Sequence, residues 1–87
     1  MSAEEVVEAI RVLLLDAAVL LVGDAGSVVL HVDHAGGAAS FRLEADEGKA
    51  TARLVGKDGL TVQALRRLAK AIGRQHGLTV DVDVPRR

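Results

Sequence analysis

The sequence contains no cysteine, tryptophan or tyrosine, and its 87 residues include only one phenylalanine, one proline and one methionine. Without cysteine the chain can form neither disulfide bonds nor thiolate metal sites, and the redox state of its compartment stays open. The near absence of aromatic residues disfavours a surface that stacks bases on aromatic rings, as RRM and OB-fold proteins do. The core must therefore be aliphatic, built mainly from the Val, Leu, Ala and Ile residues.

Long apolar segments are also missing. The longest run, from Val12 to Val22, is interrupted by Asp16 and is too short to span a bilayer. The first residues include two glutamates and no basic leader region, so no signal peptide is expected. With no repeat or linker in the pattern, residues 1–87 are expected to form one small soluble cytoplasmic domain without membrane insertion.

Charge is unevenly distributed, although the whole chain carries a formal net charge of −1. The segment 53–77 has a net charge of +5, and the rest of the chain a net charge of −6. A domain polarised in this way can present a basic face to an anionic partner. The alternative interpretation is a solvated outer helix face. The cations of the segment are Arg53, Lys57, Arg66, Arg67, Lys70 and Arg74.

The first third of the chain predicts a helix. Ser2, followed by two glutamates, suits a helix N-terminus. Periodicity alone leaves open whether the helix continues to Val22 or breaks at Asp16 before a strand, and residue propensities favour one long helix. The apolar residues at helical spacing are Val6, Ile10, Leu13, Leu14, Ala17 and Leu21.

Alternating valines then predict a strand over 27–34, a flexible turn at 35–38 and a returning strand over 39–45. The next segment, 49–55, is ambiguous, because its residues could form a strand that leads into an ordinary tight turn at 56–59.

From about Leu60 the pattern predicts a helix, in which Gly73 costs about 1 kcal/mol relative to alanine and weakens the last turn. Gly77 suits its C-terminal cap. A final strand over 79–84 alternates valine with aspartate, Pro85 ends it, and residues 86–87 add a basic tail. The residues predicted on the buried face of the helix are Leu65, Leu68, Ala69 and Ile72.

Catalytic and metal-binding patterns are weak. None of the serines lies in a nucleophile motif. His31, Asp33 and His34 suggest a metal site, but on a strand His34 points away from the other two, so a solvated strand surface is the favoured interpretation. The loop 56–59 lacks the spacing and trailing Lys-Ser/Thr of a P-loop. The sequence therefore predicts neither an enzyme nor a bound metal or cofactor.

The segment Gly56-Lys57-Asp58-Gly59 carries the strongest functional pattern. Two glycines allow the backbone to approach a bulky ligand closely, because neither has a Cβ. The loop opens a helix, whose first N–H groups are unpaired and whose dipole is positive there. Anions bind readily at such a place, and Lys57 adds a positive charge at the tip. The pattern predicts a loop that holds a phosphate.

Together with its flanking elements, this loop resembles a KH domain, in particular that of the small bacterial single-KH (KhpA-type) proteins and of their larger Jag/KhpB-type relatives. The resemblance is strongest over 40–84 within a single KH-like domain spanning 1–87. The residues that carry it are Arg53-Leu54-Val55-Gly56-Lys57-Asp58-Gly59, Thr61, Ala64-Leu65-Arg66 and the closing Val80-Asp81-Val82-Asp83-Val84.

The resemblance implies an α+β fold of type II KH order, α-β-β-α-α-β, with a three-stranded sheet and helices packed on one face. It makes 49–55 a short helix. It also implies a bacterial single-stranded RNA-binding protein or RNA chaperone that forms homodimers or pairs with a larger KH-containing protein of the Jag/KhpB type. The loop would hold the RNA backbone against an aliphatic groove. The implied RNA-binding residues are Arg53, Leu54, Val55, Gly56, Lys57, Asp58, Gly59, Val62, Arg66 and Lys70.

Asp58 lies where the resembling family usually has a neutral or basic residue. A carboxylate beside a phosphate repels it, so any binding is expected to be weak and low in sequence specificity. Asp58 also favours the alternative of a protein–protein adaptor that keeps the fold and has lost useful RNA affinity. A small-molecule regulatory domain is a third alternative, although the sequence shows no polar pocket for it.

Overall fold

A computed structural model describes residues 1–85, and the basic tail at 86–87 lies outside the described residues. The described chain is an α+β unit of three helices and a three-stranded mixed sheet. Helix α1 spans Ala3–Val22, α2 spans Gly48–Val55 and α3 spans Leu60–Gln75. Strands β1, β2 and β3 span Val28–Ala35, Ala38–Ala45 and Thr79–Asp83.

Helix α1 is continuous, as the propensities predicted. Ser2 caps it, because its hydroxyl accepts from the Glu5 N–H and its own N–H donates to the Glu5 carboxylate. The bond from the Ser2 backbone, and secondarily its side chain, lowers the pKa of Glu5. The helix ends at Gly23, whose N–H donates to the Val19 carbonyl and whose positive φ of 57° suits a glycine.

The sheet has the order β1-β2-β3, so β2 is its central strand. Strands β1 and β2 form an antiparallel hairpin with Val28 opposite Ala45, and β3 pairs in parallel with β2. Along β2 and β3, buried and exposed residues alternate. One face of the sheet is therefore covered by the helices, while the other carries charged side chains.

The core is aliphatic, as the composition predicted, and contains a single aromatic side chain, that of Phe41. Phe41 lies in β2 and is fully buried, with Ile10 and Leu14 of α1 and Leu54 of α2. Val80, Val82 and Val84 are buried, and Asp81 and Asp83 are exposed, as the alternation predicted.

Helix α2 resolves the ambiguity of 49–55, because the segment forms the short helix that the resemblance implied and not a strand. Its buried residues Ala50, Thr51, Leu54 and Val55 repeat at helical spacing, and the Thr51 N–H donates to the Glu47 carbonyl at 3.0 Å. Burial of one face stabilises a helix that local propensity alone would not specify.

Helix α3 requires two corrections. Leu68 was predicted to be buried, but it is 48% exposed, because it lies at the edge of the face formed by Val62, Leu65 and Ala69. Gly73 was expected to weaken the last turn, but the helix continues past it to Gln75. Gly77 ends the helix as predicted, and the Leu78 N–H donates back to the Gly73 carbonyl at 2.8 Å.

We expect Gly73→Ala to destabilise the protein, although alanine is the better helix former. A Cβ at this position would lie 2.5 Å from Val80 Cγ2 and 2.7 Å from the Leu78 carbonyl oxygen. Overpacking of about 1–3 kcal/mol should outweigh the helix-propensity gain of about 1 kcal/mol. Urea unfolding of both proteins tests this expectation, with Ala71→Gly as the control for helix propensity at an exposed position of α3. A more stable Gly73→Ala variant would contradict the close packing.

Helix α1 also presents an unusual number of apolar side chains to solvent. Leu20 is 82% exposed and Val19 is 55% exposed, and Val12, Leu13 and Leu21 are each more than one third exposed. A helix that is apolar on both its inner and outer sides is typical of one that has a further partner.

None of the helices within residues 1–85 has the length and apolar character that crossing a membrane requires.

Candidate nucleic-acid interface

The loop between α2 and α3 is tight, and three of its four residues have positive φ. Gly56 has φ 77° and ψ 171°, Asp58 has φ 56° and ψ 22°, and Gly59 has φ 75° and ψ 12°. The Gly56 N–H closes α2 by donating to the Ala52 carbonyl at 2.8 Å, and the Gly59 N–H donates to the Gly56 carbonyl at 3.1 Å. The chain thus reverses within four residues and enters α3 directly.

The two loop glycines have different roles. A Cβ on Gly56 would lie 2.1 Å from Thr61 Oγ1 and 2.9 Å from the Thr61 backbone nitrogen. At Gly59 the nearest atom to such a Cβ is Gln63 Nε2 at 3.9 Å, and only the positive φ disfavours a side chain. Gly56 therefore lets the loop pack on the first turn of α3, whereas Gly59 provides a turn conformation.

Asp58 has a conformational role that its charge did not reveal. It is the one non-glycine residue among those described with a positive φ, and aspartate is among the few residue types that adopt this region readily. The signal in the sequence was the position of Asp58 between two turn glycines, which the charge argument did not use.

Lys57 and Asp58 are both exposed at the tip of the loop, and Gly59 stands at the N-cap of α3 without a capping side chain. The amide groups of the first turn of α3 consequently have no competing side-chain acceptor at the N-cap. They form the positive end of a 16-residue helix, and the first of them, the Leu60 N–H, donates to the Lys57 carbonyl.

One side of α3 is basic and lies along the outer edge of β3. Arg66 is half-buried there, and its Nε donates to the Val82 carbonyl at 3.0 Å. Lys70 and Arg74 border a depression of about 430 Å³ beside the start of β3. Among residues 1–85, none of these three cations lies within salt-bridge distance of a carboxylate.

Acidic side chains lie close to this basic edge. A second depression, of about 490 Å³, has Arg66 and Lys70 on one side and Asp81 and Asp83 of β3 on the other. Its lining includes both positively and negatively charged side chains. The positive potential along α3 is therefore weaker than the number of cations suggests.

The remaining implied cation, Arg53, is directed to another part of the molecule. Its Nη1 donates to the Val22 carbonyl at 2.8 Å and lies 3.5 Å from the exposed Asp24 carboxylate. It therefore joins α2 to the C-terminal end of α1, where a cation is stabilised by the helix dipole.

We expect Arg53→Met to lower the free energy of unfolding by about 1–2 kcal/mol, because the Val22 carbonyl loses a charged donor while the apolar stem is kept. Urea unfolding measures the loss, and Arg67→Met, an exposed arginine of α3, provides the matched control with an expected change within about 0.5 kcal/mol. Equal stability of the two variants would show that the contact between α1 and α2 contributes little.

The implied aliphatic groove has little exposed surface. Leu54 is 0% exposed, and Val55 and Val62 are 8% and 9% exposed. These three side chains support the loop from beneath.

Beside the loop, an open depression of about 450 Å³ follows the outer side of α2. It is shallow and mostly apolar, and Asp58 supplies its one charged side chain. The lining residues are Gly48, Thr51, Ala52, Val55, Gly56, Asp58 and Gly59.

The sheet histidines are engaged locally. His31 Nε2 lies 3.3 Å from a Glu44 carboxylate oxygen, and Arg42 Nε lies 3.1 Å from the other oxygen of that carboxylate. Within residues 1–85 no three His, Asp or Glu side chains are grouped so that they could hold a metal ion.

No protein-family model, curated protein or solved structure matches the chain. The function must therefore be argued from the loop, the basic side of α3 and the depression beside α2.

Proposed function

We propose that this chain is a non-enzymatic, KH-like protein of the bacterial cytoplasm that binds single-stranded RNA and acts as an RNA chaperone or regulator. The observation that carries the proposal is the loop between α2 and α3. Two glycines of positive φ bracket an exposed lysine at the uncapped N-terminus of a helix whose side is basic. This combination suits the phosphates of a single-stranded nucleic-acid backbone.

In this proposal the RNA backbone passes over the loop. Lys57 pairs with one phosphate, while Gly59, whose missing Cβ leaves open space, allows the strand to come close to the start of α3. Lys70 contacts a further phosphate along the β3 edge. Arg66 contributes its free guanidinium nitrogens, since only its Nε is used by the Val82 carbonyl.

The order of elements supports a KH-like fold. Helix, two strands, a short helix, a glycine-bracketed loop, a long helix and a final strand follow one another, as the resemblance implies for a type II KH domain. The parallel pairing of β3 with β2 makes β3 an edge strand, and Arg66 of α3 donates to its Val82 carbonyl, so the basic side of α3 lies against β3.

The proposed affinity is modest. Asp58 is adjacent to Lys57, and Asp81 and Asp83 lie near Lys70, so repulsion offsets part of the attraction for phosphates. About three phosphate contacts predict a slope of log Kobs against log salt near −2 for a single strand.

The experiment is a fluorescence-anisotropy titration of a labelled mixed-sequence RNA octamer at low and at physiological salt. We expect binding that weakens on addition of salt, and weaker binding of an RNA duplex of the same length, because a narrow loop accommodates one flexible strand. Absence of binding at low salt would overturn the proposal.

A protein–protein adaptor is the second candidate, and the exposed apolar residues of α1, including Leu20 and Val19, favour it. A homodimer, or a pair with a larger KH-containing protein of the Jag/KhpB type, would cover them. Sedimentation equilibrium of the native chain and of Leu20→Glu tests the homodimer. Self-association that Leu20→Glu abolishes, together with no RNA binding, would favour the adaptor.

A further inference from the structure

The depression beside α2 adjoins the loop and shares no lining residue with the two depressions beside β3. Its floor is made by small or apolar residues, including Gly48, Ala52 and Val55, and it is open to solvent along one side. A nucleotide whose phosphate lies at the loop could place its base here, since a volume of about 450 Å³ accommodates a small planar group.

The polar side chains of the depression provide hydrogen-bond acceptors but no charged donor. The Thr51 hydroxyl donates its proton to the Glu47 carbonyl at 3.2 Å, so it has no proton left for a ligand. Within residues 1–85, the Asp58 carboxylate takes part in no salt bridge. A base in the depression therefore meets a free acceptor and no charged donor.

The backbone conformation determines where the Asp58 side chain leaves the loop. Asp58 lies in the left-handed region with φ 56° and ψ 22°, between Gly56, which packs against Thr61, and Gly59, which begins α3. The side chain is exposed and lines the depression, so its carboxylate is available to a base bound there.

We propose that Asp58 determines base preference at this position by accepting a hydrogen bond from the exocyclic amino group of a base in the depression. The inference rests on the proposed RNA-binding function. An ionised carboxylate accepts only, so it favours the N4 amino group of cytosine and disfavours uracil, whose O4 is itself an acceptor. Adenine and guanine also carry exocyclic amino groups, so they are compatible with this contact.

Cytosine and uracil provide the sharpest test, because the two bases have the same ring and differ only at position 4 and in the proton on N3. Labelled octamers of cytidine and of uridine are titrated at pH 7.5 and low salt against the native chain, Asp58→Asn and Lys57→Gln. We expect the native chain to bind the cytidine octamer roughly fivefold more tightly than the uridine octamer, the effect of one discriminating hydrogen bond.

Asp58→Asn should bring the ratio close to one, because an amide both donates and accepts, and asparagine keeps the left-handed conformation. It should also strengthen binding of both octamers by removing repulsion from phosphate. Lys57→Gln should weaken both octamers by the same factor and leave the ratio unchanged.

Each failure has a distinct meaning. Equal binding of the two octamers by the native chain overturns the base preference and leaves RNA binding intact. An unchanged ratio in Asp58→Asn overturns the role of Asp58. No binding of either octamer overturns the proposed function itself.

Discussion

Replacing Gly56 with alanine is expected to lower the free energy of unfolding by roughly 3 kcal/mol, a large part of the stability of a small domain. Gly56 has φ 77° and ψ 171°, a backbone region that is essentially confined to glycine. The added Cβ would also lie 2.6 Å from Thr61 Cβ and 2.9 Å from the Thr61 backbone nitrogen. The backbone cannot move away without separating the loop from α3. Urea unfolding followed by circular dichroism measures the loss.

Gly59→Ala is the matched control, because it makes the same chemical change in the same loop. Gly59 has a left-handed conformation, and its nearest neighbour to an added Cβ is 3.9 Å away. Only the conformational term of about 1 kcal/mol is expected. If Gly56→Ala were no more destabilising than Gly59→Ala, the packing of the loop on Thr61 would be wrong.

Replacing Lys57 with aspartate is expected to lower the affinity for single-stranded RNA by at least roughly tenfold at low salt, while the protein stays folded. Lys57 is exposed at the loop tip, so its replacement leaves the core unchanged. The variant loses a charge-assisted contact to phosphate and places two adjacent carboxylates at the same point. Anisotropy at two salt concentrations measures the change, and the magnitude of the salt slope should fall.

The control for this variant has to separate a local contact from the net charge. Lys57→Gln and Arg11→Gln remove the same unit of positive charge, but Arg11 lies on α1 and is paired with Glu8. Lys57→Gln should weaken RNA binding several-fold, whereas Arg11→Gln should leave it nearly unchanged because exposed charges beyond about 10 Å are screened. Equal losses would indicate a diffuse electrostatic attraction instead of a clamp.

Much of the fold could be predicted from the sequence because its signals were local and consistent. The valine–aspartate alternation of β3 predicted both the strand and its buried face, and Gly77 predicted the end of α3. The length of α1 followed from residue propensities, with Ser2 and Glu5 as its capping box.

Ambiguities and errors arose where tertiary packing decides. Segment 49–55, which residue propensity left ambiguous, forms the short helix that the resemblance implied, because Leu54 and Val55 are buried together with Ala50. Gly73 was treated as a weak point of the helix, but it is the residue that allows Val80 to pack against α3. Leu68 has the spacing of a core residue, but within residues 1–85 it is only partly covered and stays 48% exposed.

In the candidate site, too, local features could be predicted from the sequence, whereas contacts between distant residues could not. The glycines, Lys57 and the start of α3 are adjacent in the chain, so their proximity could be predicted, and Lys70 follows at helical spacing. Arg53 is also close in sequence, but its guanidinium binds the Val22 carbonyl, which is 31 residues away. The environment of Asp58 depends on the depression formed with α2, which a linear pattern does not describe.

The most direct test of the central claim is a titration of the ¹⁵N-labelled protein with a single-stranded RNA octamer, followed by ¹H–¹⁵N correlation spectra. The proposed clamp predicts that the largest amide shifts occur over residues 56–62 and on the basic side of α3 around Lys70, and that α1 is unaffected. Shifts confined to α1 or to the exposed face of the sheet, or no shifts at saturating RNA, would contradict the account.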